Sequence, residues 1–166
     1  SKNEQGAVLK SGNLEVQIDK TNGWDISFLY GGKRITGSGQ RAAGYITGPS
    51  KEAYFREQLD LGIGEYVYGL GERFTPFVKN GQIVDTWNED GGTSSEQSYK
   101  NIPFYLSNKG YGVFVNHPER VSYEIASENV SKVQFSVEGE TLEYFIIGGD
   151  NPKDVLDNYT KLTGKP

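Results

Sequence analysis

The chain has 166 residues, of which 35% are hydrophobic and 23% charged, and a formal net charge of −5. That is the balance of an ordinary globular domain, at a length where roughly 70% of the unfolded chain's surface can be buried. Charges of both signs are interspersed with no basic stripe, which excludes a nucleic-acid partner, and no run is long enough to cross a membrane.

Glycine (22 residues) and tyrosine (11) are unusually frequent, and cysteine and methionine are absent. Many turns together with many aromatic strand residues favour an all-β architecture. The lack of cysteine excludes disulfides and thiolate metal sites. No signal-peptide pattern opens the chain. With no initiator methionine, Ser1 reads as the start of a processed chain or fragment, and one domain is the expected count.

The hydrophobic period is close to two from the first run onward. Leu14-Glu15-Val16-Gln17-Ile18 alternates cleanly, as do Tyr123-Glu124-Ile125-Ala126 and Val133-Gln134-Phe135-Ser136-Val137, so each predicts a strand with one buried face. Tyr111–Val115 and Leu142–Ile147 are more continuously apolar, as strands covered on both sides are. Gly31-Gly32, Asn80-Gly81, Asn108-Lys109-Gly110 and Glu138-Gly139-Glu140 lie between these and neighbouring runs. Each supplies residues tolerant of positive φ, and together they predict a succession of antiparallel hairpins folded as a sandwich.

One helix is well specified. Asn151 caps it, Pro152 fits its first turn, Asp154 complements its positive end, and Gly164 and Pro166 stop it. Val155, Leu156, Tyr159 and Leu162 give it one apolar face. The predicted fold class is therefore an all-β antiparallel sandwich over residues 1–150, with a C-terminal α-helix over 151–166 that reads as a junction to a further domain.

The segment from Trp87 to Gln97 is polar, rich in glycine and without period, and long irregular loops in compact domains are usually functional or disordered. Trp87 in its midst argues against plain disorder. Glu89 and Asp90 are adjacent, so they do not make the facing acid–nucleophile pair that glycoside hydrolysis needs. An aromatic ring beside polar side chains is instead what sugar faces and hydroxyls require, which makes Trp87, Glu89 and Asp90 the candidate substrate-binding residues.

Other features are read as structural. Gly62-x-Gly64 and Gly69-x-Gly71 are turn glycines, because no strand–helix context makes them a phosphate loop. His117 is the sole histidine and marks a strand end. No metal-ligand motif is present, and no cofactor is expected. Trp24, Tyr66, Tyr68, Phe74 and Phe77 are assigned to core or sheet-face packing ahead of sugar stacking. The sequons at Asn129 and Asn158 are treated as chance.

Tyr68-Gly69-Leu70-Gly71-Glu72-Arg73-Phe74 resembles a signature of the N-terminal domain of glycoside hydrolase family 31. The likeness continues through Trp87-Asn88-Glu89-Asp90-Gly91-Gly92, Tyr99–Tyr105, Gly110–Asn116, Leu142–Phe145 and Asn158–Pro166. It covers the chain from about Lys10 to Pro166 and looks closest to bacterial α-xylosidases. The resemblance implies a galactose mutarotase-like β-sandwich, short of some upstream strands and with an exposed edge. It also implies a (β/α)8 barrel beyond Pro166 that carries the aspartate nucleophile and the aspartic general acid/base.

On this reading the fragment holds no catalytic residue and is inactive alone. It is an accessory domain of a retaining α-glycosidase, α-xylosidase first and α-glucosidase second. Its partners are the barrel of the same chain and an oligosaccharide substrate, and the location is the bacterial cytoplasm. In related α-glucosidases an aspartate following Asn-x contacts sugar hydroxyls, and Asp90 occupies that position. The threonine that usually follows it is Gly91 here, which fits a different leaving-group preference. The alternatives are an autonomous carbohydrate-binding module, and a structural sandwich that shields a barrel or builds an oligomer interface.

Overall fold

A computed structural model describes residues 1–21, 23–88 and 98–165. The first four strands, β1 (Gly6–Ser11), β2 (Leu14–Asp19), β3 (Asp25–Tyr30) and β4 (Lys33–Ser38), form an antiparallel meander in chain order. The Gly31-Gly32 turn that joins β3 to β4 has positive φ at both residues, as its sequence predicts. Strands β5 (Gly44–Thr47), β6 (Ala53–Asp60), β9 (Gln82–Asp85), β13 (Val121–Ile125) and β14 (Lys132–Glu138) make a second sheet in the order β5-β6-β14-β13-β9. Strands β7 (Val67–Gly69), β11 (Phe104–Ser107), β12 (Tyr111–Val115) and β15 (Tyr144–Gly148) make a third, ordered β15-β12-β11-β7. A two-stranded ribbon pairs β8 (Glu72–Arg73) with β10 (Ser98–Lys100).

The core follows from strand alternation. Val121, Tyr123, Ile125, Val133, Phe135 and Val137 of the second sheet meet Val67, Tyr105, Tyr111, Val113 and Val115 of the third, all of them buried. The meander closes one end by inserting Phe28, with Val16, Ile26 and Ile35 packed against the same cluster. It is pinned to β6 by polar contacts: the Thr36 hydroxyl donates to the Asp60 carbonyl (2.9 Å), Ser38 Oγ donates to Glu57 Oε1 (2.7 Å), and Arg34 pairs with the Asp60 carboxylate at 2.5 Å.

The helix α1 (Pro152–Thr163) lies on the outer face of the third sheet. Asn151 Oδ1 accepts from the amides of Lys153 and Asp154, Pro152 opens the first turn and Gly164 ends the helix. Val155 is fully buried against Phe104 and Ile147, while Leu156 and Leu162 of the same apolar face stay exposed. The helix covers its sheet only in part. Asn158 donates its amide to the Gly148 carbonyl (3.0 Å), which commits that sequon side chain to structure. Among the described residues no helix is long and apolar enough to cross a membrane.

Two hairpin expectations fail. Asn80-Gly81 does not join paired strands: Asn80 Oδ1 accepts from the Val67 amide, its Nδ2 donates to the Glu65 carbonyl, and Lys79 N donates to the Val67 carbonyl. The segment is thereby held along β7, and β9 pairs with distant β13 instead. Glu138-Gly139-Glu140 connects β14 to β15, which lie in different sheets, so it is a crossover between layers. The core reading of the aromatics is overturned as well, because Trp24, Tyr66, Phe74 and Phe77 are all exposed. All four lie just outside the strands, in turns and connections, where no alternating face buries them.

Glu57 sits in the wall between the meander and the core, only 4% exposed. Burial raises its carboxyl above the ordinary 4.5, against opposing hydrogen bonds from Ser38, the Gln58 amide and Tyr144 and the nearby charge of Lys132. The unfolded chain therefore releases this proton first as pH rises past 4.5, and folded stability falls until the folded carboxyl has also ionised. Glu57→Gln, which stays neutral, is expected to remove that decline. Denaturant midpoints of the two chains taken between acid and neutral pH should diverge as pH rises, with the variant the more stable at neutrality.

Candidate functional site

The site is built at the base of the segment 89–97, where the chain leaves after Asn88 and returns at Ser98. Thr86 is fixed first: its amide donates to the Val121 carbonyl, and its hydroxyl both donates to that carbonyl and accepts from the Val121 amide. The next residue, Trp87, projects from this anchored position and is 49% exposed. The Arg120 guanidinium stands 5.7 Å from the centre of the indole, within cation–π range, and 3.8 Å from the Asp85 carboxylate. A small cleft of about 80 Å³ lies here, lined by Trp87, Arg120, Asp85, Arg73, Thr75, Ile83 and Val84.

Arg73 is the hub beneath it. Its Nε donates to the Leu70 carbonyl (3.1 Å) and its Nη2 to the Asp85 carbonyl and to Asn101 Oδ1. Asn101 in turn donates its amide to Asn88 Oδ1 at 2.6 Å, and its Oδ1 accepts from the Ser98 hydroxyl at 3.2 Å. Asn88 and Ser98 are thus held by one asparagine, which is itself held by one guanidinium. A planar fork with several fixed donors suits Arg to a junction that lysine's single ammonium would satisfy less well.

Lys79 lies close by, 4% exposed, with Nζ donating to Thr75 Oγ1 (3.0 Å) and the Pro76 carbonyl (2.7 Å). Burial, and then the charge of Arg73, hold its ammonium below the usual 10.5.

Of the candidate binding residues, Trp87 is placed half-exposed on the surface beside the charged pair Arg120–Asp85. Glu89 and Asp90 lie outside the described residues. Arg73, Arg120, Asn101 and Lys79 were not legible as site residues from sequence. Arg73 stands in the recognised signature, but its partners include Asp85 and Asn101, 12 and 28 positions further along the chain. Among the described residues no group of three or more His, Cys, Asp or Glu side chains is placed to hold a metal ion. The arrangement can stack a ring and exchange hydrogen bonds with hydroxyls.

The architecture is that of the solved glycoside hydrolase family 31 enzymes. The Flavobacterium johnsoniae family 31 dextranase FjDex31A superposes on 100% of this chain, using 20% of its own, with a TM-score of 0.87 at 22% identity. The chain belongs to the family itself, since the model of the glycosyl hydrolase 31 N-terminal galactose mutarotase-like domain matches residues 1–124. Two curated relatives align with 98% of the chain: the α-xylosidase XylQ of Lactiplantibacillus pentosus at 55% identity and an α-xylosidase of Emericella nidulans at 51%. The chain spans 21% and 24% of their respective lengths.

Proposed function

We propose that this domain serves a retaining α-glycosidase, with α-xylosides as the first substrate class and α-glucosides as the second. In that role it packs on the catalytic part of the protein and offers the Trp87 site, with Asp90 and Glu89, to the sugar on the leaving-group side. The observation that carries this reading is the 55% identity to an α-xylosidase along nearly the whole domain. The site's chemistry supports it. An exposed indole gives an apolar platform for a sugar face, with charged and polar side chains at its border. Asp90 as a carboxylate accepts hydrogen bonds from two adjacent hydroxyls, and charge-assisted bonds are the stronger kind.

The chain itself carries a binding role on this account, while the nucleophile and general acid stand in the catalytic part. Such a role makes Asp90 matter more for some leaving groups than for others. In the full-length protein Asp90→Ala is expected to lower kcat/KM for an oligosaccharide about tenfold to a hundredfold, as the loss of charge-assisted hydrogen bonds implies. An aryl glycoside, which offers no second sugar, is expected to change little. Equal kinetics of the two proteins across both kinds of leaving group would sink the assignment of Asp90.

A further inference from the structure

We propose that the cavity between the meander and the second sheet binds a small organic anion, a carboxylate or phosphate group carried on a carbon skeleton of about monosaccharide size. The cavity measures about 470 Å³ and is assembled from stretches of chain far apart in sequence. Lys33 and Arg34 come from β4, Asp60 from the end of β6, Lys132 from the start of β14 and Lys109 from the turn between β11 and β12. With Glu65 these make four cations and two carboxylates, a local excess of positive charge in a chain whose net charge is −5. A cleft lined by an excess of one sign concentrates ions of the other.

The hydrogen-bonding inventory decides what kind of ligand fits. Both oxygens of the Asp60 carboxylate already accept, one from Arg34 and one from Lys132. Both oxygens of Glu65 accept as well, from the hydroxyls of Ser107 and Tyr111 and from the Gly62 amide. The donors are far from exhausted. Arg34 spends Nε on Ser27 Oγ and Nη2 on Asp60, and Lys132 spends one N–H on Asp60, which leaves further N–H groups on each. Lys33 and Lys109 are exposed, and among the described residues neither ammonium has a partner. Spare donors beside committed acceptors suit a ligand that only accepts, whereas the hydroxyls of a neutral sugar must also donate. Ile35, Leu61 and the wholly exposed Ile63 add apolar wall, so a carbon skeleton finds contact beside its charged group.

This cavity is separate from the Trp87 site. Thr86 is tied to Val121 at one end of β13, whereas Asp60 and Lys132 pair just beyond the other end of that strand, about 20 Å away at the rise of a β-strand. Anion binding there does not depend on the function proposed above.

Isothermal titration of the full-length protein with sodium glucuronate, glucose 6-phosphate, inorganic phosphate and glucose tests the assignment. The two sugar anions are expected to bind, and the tighter of them identifies the group that the cavity takes. When Lys33→Gln is combined with Lys109→Gln, both at exposed positions, their affinity is expected to fall about tenfold to a hundredfold, as the loss of charge-assisted hydrogen bonds implies. Glucose is expected to titrate alike in both proteins. In the wild-type protein alone, raising the ionic strength from about 0.01 M to about 0.15 M is expected to weaken both anions severalfold by screening. No heat from either sugar anion overturns the proposal, as do equal affinities in the two proteins, a loss shared by glucose, or an affinity indifferent to salt. Inorganic phosphate binding as tightly as both sugar anions overturns it too, because the skeleton would then contribute nothing.

Discussion

Gly71→Ala is expected to destabilise the domain by about 2–5 kcal/mol, the sum of left-handed backbone strain and overpacking against atoms that cannot move aside. Gly71 has φ +90, and a Cβ there would run into the Lys100 carbonyl oxygen, with the Lys100 carbonyl carbon at 2.9 Å and Asn101 Cα at 3.0 Å. These are backbone atoms of the returning strand, so relief requires β8 and β10 to part. Parting them moves Asn101 away from Arg73 and Asn88, and with it the base of the Trp87 site. Gly31 is the control: its φ is +57 and nothing lies within 4 Å of its added Cβ. Gly31→Ala therefore costs only the backbone term, about 1–2 kcal/mol. Urea unfolding of both variants checks the argument, and equal losses would contradict the steric part of it.

Glu65→Ala is expected to cost about 2–6 kcal/mol, because the two buried hydroxyls of Ser107 and Tyr111 lose their acceptor at once, each worth about 1–3 kcal/mol. Glu65 is 5% exposed. Its Oε1 accepts from the hydroxyls of Ser107 and Tyr111, both at 2.6 Å, and its Oε2 accepts from the Gly62 amide at 2.7 Å. Tyr111 is wholly buried, and burial followed by the Glu65 charge raises its phenol well above the usual 10.0. Removing the orphaned hydroxyl should restore part of the loss, so Glu65→Ala with Tyr111→Phe is expected to be more stable than Glu65→Ala alone by about 1 kcal/mol. Simple addition of the two single losses in denaturant unfolding would contradict the shared network.

Local chemistry was legible in the sequence where one short segment carries all of it. The Gly31-Gly32 hairpin, the Asn108–Gly110 turn and the cap of α1 each depend on neighbours within a few residues, and each forms as its residues dictate. Layering was not legible in the same way. Glu138-Gly139-Glu140 has the composition of a hairpin turn, yet the strands it joins lie in different sheets, a choice made by partners such as β6 and β12 far away in sequence. Phe77 and Tyr66 were read as packing residues from their aromatic character, yet both stand outside the strands and exposed.

The candidate site divides along the same line. Trp87 was readable as an aromatic set among polar residues, and it stands half-exposed at the surface. The groups that hold it there were not readable, because Arg73 draws on three separated stretches of chain and Arg120 reaches Trp87 from 33 positions away in sequence, the difference between 120 and 87. Glu57, Glu65 and Lys79 look like surface residues in sequence. Burial is made tolerable by partners distant in sequence for the two glutamates, and by Thr75 and the Pro76 carbonyl for Lys79.

On the function proposed above, this domain belongs to an α-glycoside-cleaving enzyme that works with retention. Proton NMR of the full-length protein acting on an α-xyloside, followed from the first turnovers, tests it most directly. The α-anomer of free xylose is expected to appear first and the β-anomer only later by mutarotation. Initial release of the β-anomer, or no cleavage of either α-xylosides or α-glucosides, would contradict it.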